Sequence, residues 1–134
     1  MSEMNLLETP IRYGPGERPL YELINLWAYE VLTYRDIALG EGGHNPRNRW
    51  AQDFVGALHI RQAIGRAVSE SDLARLPVLQ AVDILHLQST EPDDKRVLRL
   101  LEPYYDQFIS NPSWWWWTRF PSTGAVFEEA VGMK

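Results

Sequence analysis

Apolar residues recur every three to four positions along most of the chain, the spacing of helices that each bury one stripe. In the first run, over about residues 18–39, Leu20, Leu23, Ile24, Trp27 and Val31 share a face, and Gly40, Gly42 and Gly43 end it. The second covers about residues 46–68 with a stripe of Trp50, Phe54, Ala57, Ile64 and Val68. It opens at Asn45-Pro46, because proline suits a first helical turn, where its missing N–H is not needed. Ser69-Glu-Ser-Asp72 has the serine-then-acid spacing of a capping box and opens a helical region to about Leu87. Pro77 divides that region in two, since an interior proline costs about 3 kcal/mol. Thr90-Glu-Pro-Asp93 is a further cap signal and predicts a helix with Val97, Leu101, Tyr104 and Phe108 on one face. Pro103 kinks or ends that helix, Asn111 and Pro112 close it, and a last short helix is predicted over about residues 123–131.

No stretch alternates polar and apolar residues convincingly, so the pattern predicts an all-α fold. The expected architecture is a compact bundle of four to five main helices with an aromatic C-terminal segment. The chain of 134 residues is the size of one helical domain, with residues 1–18 and 132–134 expected to be loosely ordered. Gly14, Pro15 and Gly16 are the reason for the first of these expectations.

Four consecutive tryptophans, Trp114 to Trp117, interrupt the helical pattern. In a strand they would alternate sides, and in a helix they would point about 100° apart, so no single face can bury all four. Either they plug between several elements, or part of their ring surface is left for a partner. Tryptophan and arginine are enriched at binding hot spots, which makes Trp115, Trp117, Arg119 and Phe120 the candidate partner-binding residues.

Composition narrows the function classes. Hydrophobic residues at 45% and charged residues at 23% are globular values and exclude wholesale disorder. The absence of cysteine excludes disulfides, thiolate metal sites and a cysteine nucleophile. The first twenty residues lack the basic start and apolar run of a signal peptide, and no run reaches the roughly 18 apolar residues of a membrane span. A cytoplasmic protein without a membrane association is therefore expected. The net charge of −5 argues against nucleic acid as partner. Its distribution is uneven, because Arg47, Arg49, Arg61 and Arg66 on the second helix face only Glu41 and Asp53 between residues 41 and 68.

Arg61 is the residue hardest to place. The helical wheel sets it about 20° from Trp50, inside the apolar stripe, where an unpaired charge is very costly. It either forms a buried ion pair, with Asp83 or Glu128 as candidates, or anchors an anionic ligand in a tryptophan-walled pocket. His44 and Arg47, at the start of the second helix, are the other candidate ligand-binding residues, since helix N-termini favour anions. That loop matches neither the P-loop nor the dinucleotide fingerprint. Asp83 and His86, three apart, have the geometry of half a metal site, with His59 on another helix. That spacing arises often by chance, and neither a metal nor any other cofactor is expected. No nucleophile elbow and no converging carboxylate pair is visible.

Three readings of function follow. The first is a non-enzymatic protein-binding module, an inhibitor, immunity-type or adaptor protein, docking on another protein through the aromatic patch. A symmetric homodimer would bury the same patch. The second is a small helical-bundle enzyme or ligand-binding protein with an Arg/His pocket for an anionic or metal-bound ligand. The third is nucleic-acid binding through Arg47, Arg49 and Arg66, which the acidic remainder of the chain opposes.

Overall fold

The structure, a computed structural model, describes residues 3–38, 50–93 and 114–121. Helix α1 (Glu3–Leu7) leads into a hairpin of β1 (Pro10–Tyr13) and β2 (Gly16–Pro19), and helix α2 (Leu20–Ala38) follows directly. After α3 (Trp50–Ala67) come the short α4 (Glu70–Leu73), α5 (Pro77–Ser89) and the two-residue strand β3 (Glu91–Pro92). A 3-10 turn (Trp115–Thr118) runs into β4 (Arg119–Phe120).

Helix α2 is the centre of the packing, with α3 and α5 both against it. Its stripe of Leu20, Leu23, Ile24, Trp27 and Val31 is buried, and so is the facing stripe of Phe54, Ala57, Ile64 and Val68 on α3. Leu79 and Val82 of α5 complete this core. The break between α4 and α5 falls at Pro77, which occupies the first turn of α5, and the Ser69 hydroxyl accepts a bond from the Asp72 N–H at the start of α4. Among the described residues no helix is long and apolar enough to cross a membrane.

The all-α expectation is corrected in two places, and the result is a small mixed fold of five helices with two antiparallel two-stranded sheets among the described residues. The first sheet lies where loose chain was expected. Tyr13 pairs with Gly16 across a two-residue loop, and Gly14 takes φ +64°, a conformation that favours glycine. Pro10 and Pro19 pair at the open end of the hairpin, where a missing N–H does little harm. Only Ile11 of the hairpin is fully buried, so the segment shows no alternating signal, and it holds because β1 lies against α3.

The second sheet lies where Thr90-Glu-Pro-Asp93 was expected to start a helix. Thr90 is extended instead, and its hydroxyl donates back to the His86 carbonyl, closing α5. Glu91 then pairs with Phe120 and Pro92 with Arg119. The predicted helix beyond residue 93, the one over 123–131, the glycine loop with His44, Arg47 and Arg49, and Glu128 lie outside the described residues.

Candidate functional site

Arg61 sits in the core between α2, α3 and α5, 1% exposed. Its Nε donates to Asp83 Oδ1 and its Nη2 to Asp83 Oδ2, both at 3.1 Å, the two-pronged geometry for which guanidinium and carboxylate are matched. The Trp27 indole N–H adds a third bond to Asp83 Oδ1 at 2.9 Å. The guanidinium carbon lies 4.7 Å from the Trp116 ring centre and 5.6 Å from that of Trp115, so the cation also rests on π-faces. Arg61 thus meets its counter-charge inside the subunit, in a buried ion pair with Asp83.

His86 lies beside this pair, fully buried, its ring 5.3 Å from Trp27, 5.5 Å from Trp115 and 6.1 Å from Phe54. Burial, then the nearby charges of Arg119 and Arg61, push its pKa down to about 3. It is neutral at physiological pH. The two oxygens of Asp83 are engaged by Arg61 and Trp27, and among the described residues no three His, Asp or Glu side chains are grouped to hold a metal ion.

The 3-10 turn explains how the chain accommodates its tryptophans. With three residues per turn, successive side chains leave about 120° apart, so each indole is aimed at a different neighbour. Trp115 reaches His86, and Trp116 lies over Arg61 with its ring against Gly65 of α3. Trp117 donates its N–H to Gln62 Oε1 at 3.1 Å and stands edge-on to His59 at 5.1 Å. Trp116 and Trp117 are completely buried, whereas Trp114 and Trp115 are half-buried.

This placement removes most of the predicted contact patch. Trp117 and Phe120 are inside the subunit, 0% and 1% exposed, where a partner cannot touch them. Arg119 is engaged at the C-terminal end of α5, where its Nε donates to Thr90 Oγ1 and its Nη2 to the carbonyls of Leu87 and Thr90. A cation is favoured at that end of a helix. Of the four candidates Trp115 is the one that keeps a partly open ring.

A concave surface lies between α3 and the hairpin, a cleft of about 640 Å³. Arg12, Tyr13 and Gly14 line it from the hairpin, and His59, Gln62, Ala63 and Arg66 line it from α3. The four α3 positions follow the three-and-four spacing of a single helix face. Gln62 is 3% exposed. Because an indole N–H can only donate, the Gln62 atom it meets is the carbonyl oxygen, and the amide N–H₂ end is turned away from Trp117.

Among the described residues the charges of this cleft are one-sided. Burial lowers the pKa of His59, which keeps it neutral at pH 7. The Tyr13 hydroxyl is raised by burial and by Glu30, with Arg18 opposing, and stays protonated. Arg12 and Arg66 are the charged side chains among the described residues of the lining, and both are exposed. Neither has an ion-pair partner among the described residues; Glu17 stands opposite Arg12 in the hairpin register without forming one.

Sequence reasoning missed this site, although it set Arg66 among the arginines of the second helix. Nothing local to residues 12–14 signals that they fold onto α3. Comparison with known proteins finds no matching family model, no similar curated protein and no similar solved structure.

Proposed function

We propose that this protein binds a small anionic molecule in the cleft between the hairpin and α3. The observation that carries this reading is the pair of exposed arginines, Arg12 and Arg66, brought from separate elements to one cleft with no acid among the described residues of its lining, in a chain of net charge −5. Pockets for small ligands occupy roughly 300–1,000 Å³ and combine apolar walls with a few placed polar groups. The cleft has that size and that mixture, with Tyr13, His59 and Ala63 as walls and Gln62 beneath them. Docking on another protein through the tryptophans is the competing proposal, and it retains only the half-buried Trp114 and Trp115.

Isothermal titration with organic carboxylates and phosphates beside their uncharged analogues tests the reading. The anions should bind and the uncharged analogues should not. Arg12→Ala and Arg66→Ala should each weaken binding about tenfold, the lower end of what a charge-assisted hydrogen bond contributes. Should every anion fail to bind at about 1 mM, where the free energy is only about 4 kcal/mol, the cleft is not a ligand site.

A further inference from the structure

Resting on the anion-cleft reading, we infer that the preferred guest is a phosphate monoester attached to a flat ring, of the size of a nucleoside monophosphate. Arg12 and Arg66 supply two positive charges, and a phosphate monoester near pH 7 carries about −1.5 to −2, whereas a single carboxylate would leave one guanidinium uncompensated. Guanidinium forks fit phosphate oxygens two at a time. Size adds a second constraint. A lone phosphate would leave most of a 640 Å³ cleft to water, while the lining sets two aromatic side chains, Tyr13 and His59, beside the arginines to match a flat guest. The His59 ring is itself steadied by the edge of Trp117.

Adenosine monophosphate, adenosine and inorganic phosphate are suitable probes, with benzoate as a flat monoanion, all titrated calorimetrically at pH 7.5 and 5.5. The monophosphate should bind at least tenfold tighter than either adenosine or phosphate alone. Its affinity should fall about fourfold between pH 7.5 and 5.5 as the second phosphate proton, with a pKa of about 6, is taken up. The groups facing the guest do not mask this. Tyr13 stays neutral beside Glu30 and Arg18, His59 gains less charge than an exposed histidine would, and the guanidiniums of Arg12 and Arg66 complete the described lining. Glu17 stands opposite Arg12 in the hairpin register.

Arg12→Lys and Arg66→Lys keep the charge but lose the fork, and should weaken the monophosphate more than benzoate. Tyr13→Ala should abolish the advantage of the monophosphate over phosphate. Benzoate binding as tightly as the monophosphate, or no difference between the monophosphate and phosphate, overturns the monoester inference and leaves the anion cleft standing. Absence of binding by every anion removes both. Binding that is unchanged in the Arg12→Ala/Arg66→Ala variant places the site elsewhere and overturns the inference as well.

Discussion

Acidification from pH 7 to pH 5 should destabilise this protein through His86. The imidazole is sealed among Trp27, Phe54 and Trp115, with Arg61 and Arg119 close enough to oppose a further positive charge, so the folded form takes up its proton only near pH 3. In the unfolded chain the same ring titrates near 6.5. The folded pKa is the lower of the two, so the contribution of His86 is fully present above pH 6.5 and is lost as pH falls below it. Between 6.5 and 3 the loss is about 1.4 kcal/mol per pH unit. Integrated from pH 7 to pH 5, it amounts to about 2 kcal/mol, a large share of the 5–15 kcal/mol that stabilises a typical domain. Urea unfolding followed by tryptophan fluorescence at pH 7, 6 and 5 measures it, with His86→Phe and His86→Gln as references. Carboxylates and the other histidines contribute alike to all three proteins and cancel in the differences. The variants should lose about 2 kcal/mol less than the natural chain over this interval. If His86→Phe loses as much, the ring is not held neutral by its surroundings and the reasoning fails.

The ion pair and the tryptophan turn make two further predictions. Asp83→Ala leaves the buried Arg61 guanidinium and the Trp27 N–H without their acceptor, and should cost about 3–5 kcal/mol in urea unfolding. Arg61→Met with Asp83→Leu, which removes both charges, should recover a large part of that loss; a cost below about 1 kcal/mol for Asp83→Ala alone would rank the pair with surface bridges. Gly65→Ala gains helix propensity worth about 1 kcal/mol, but its methyl group would stand 2.8 Å from Cη2 of the buried Trp116 ring. A net loss of about 1–3 kcal/mol is expected, relieved in part by Trp116→Phe in the same chain, and a Gly65→Ala protein as stable as the parent would show that the ring yields freely.

The main helices were legible because their cause is local. Leu20, Leu23, Ile24, Trp27 and Val31 announce the buried face of α2 by spacing alone, and Pro77 divides α4 from α5 because a residue without an N–H acts on its own helix wherever the chain goes. The awkward position of Arg61 was legible too, since its place within an apolar stripe demands a counter-charge, although spacing could not choose between Asp83 and Glu128. The hairpin was hidden. Four-residue strands bounded by prolines, with Ile11 as their one fully buried side chain, have no periodicity to read, and they exist because they pair with each other and pack on α3. The same holds for Glu91 and Pro92, where a cap-like string became a strand because Arg119 and Phe120 arrive beside it. That four neighbouring indoles cannot share one face follows from the sequence through the geometry of side-chain directions. Which of them are sealed was decided by the 3-10 turn and by where Gln62, Arg61 and His86 stand to receive them. The cleft belongs wholly to tertiary structure, because Arg12 and Arg66 are unrelated until the hairpin folds onto α3, and only that meeting places two positive charges around one hollow.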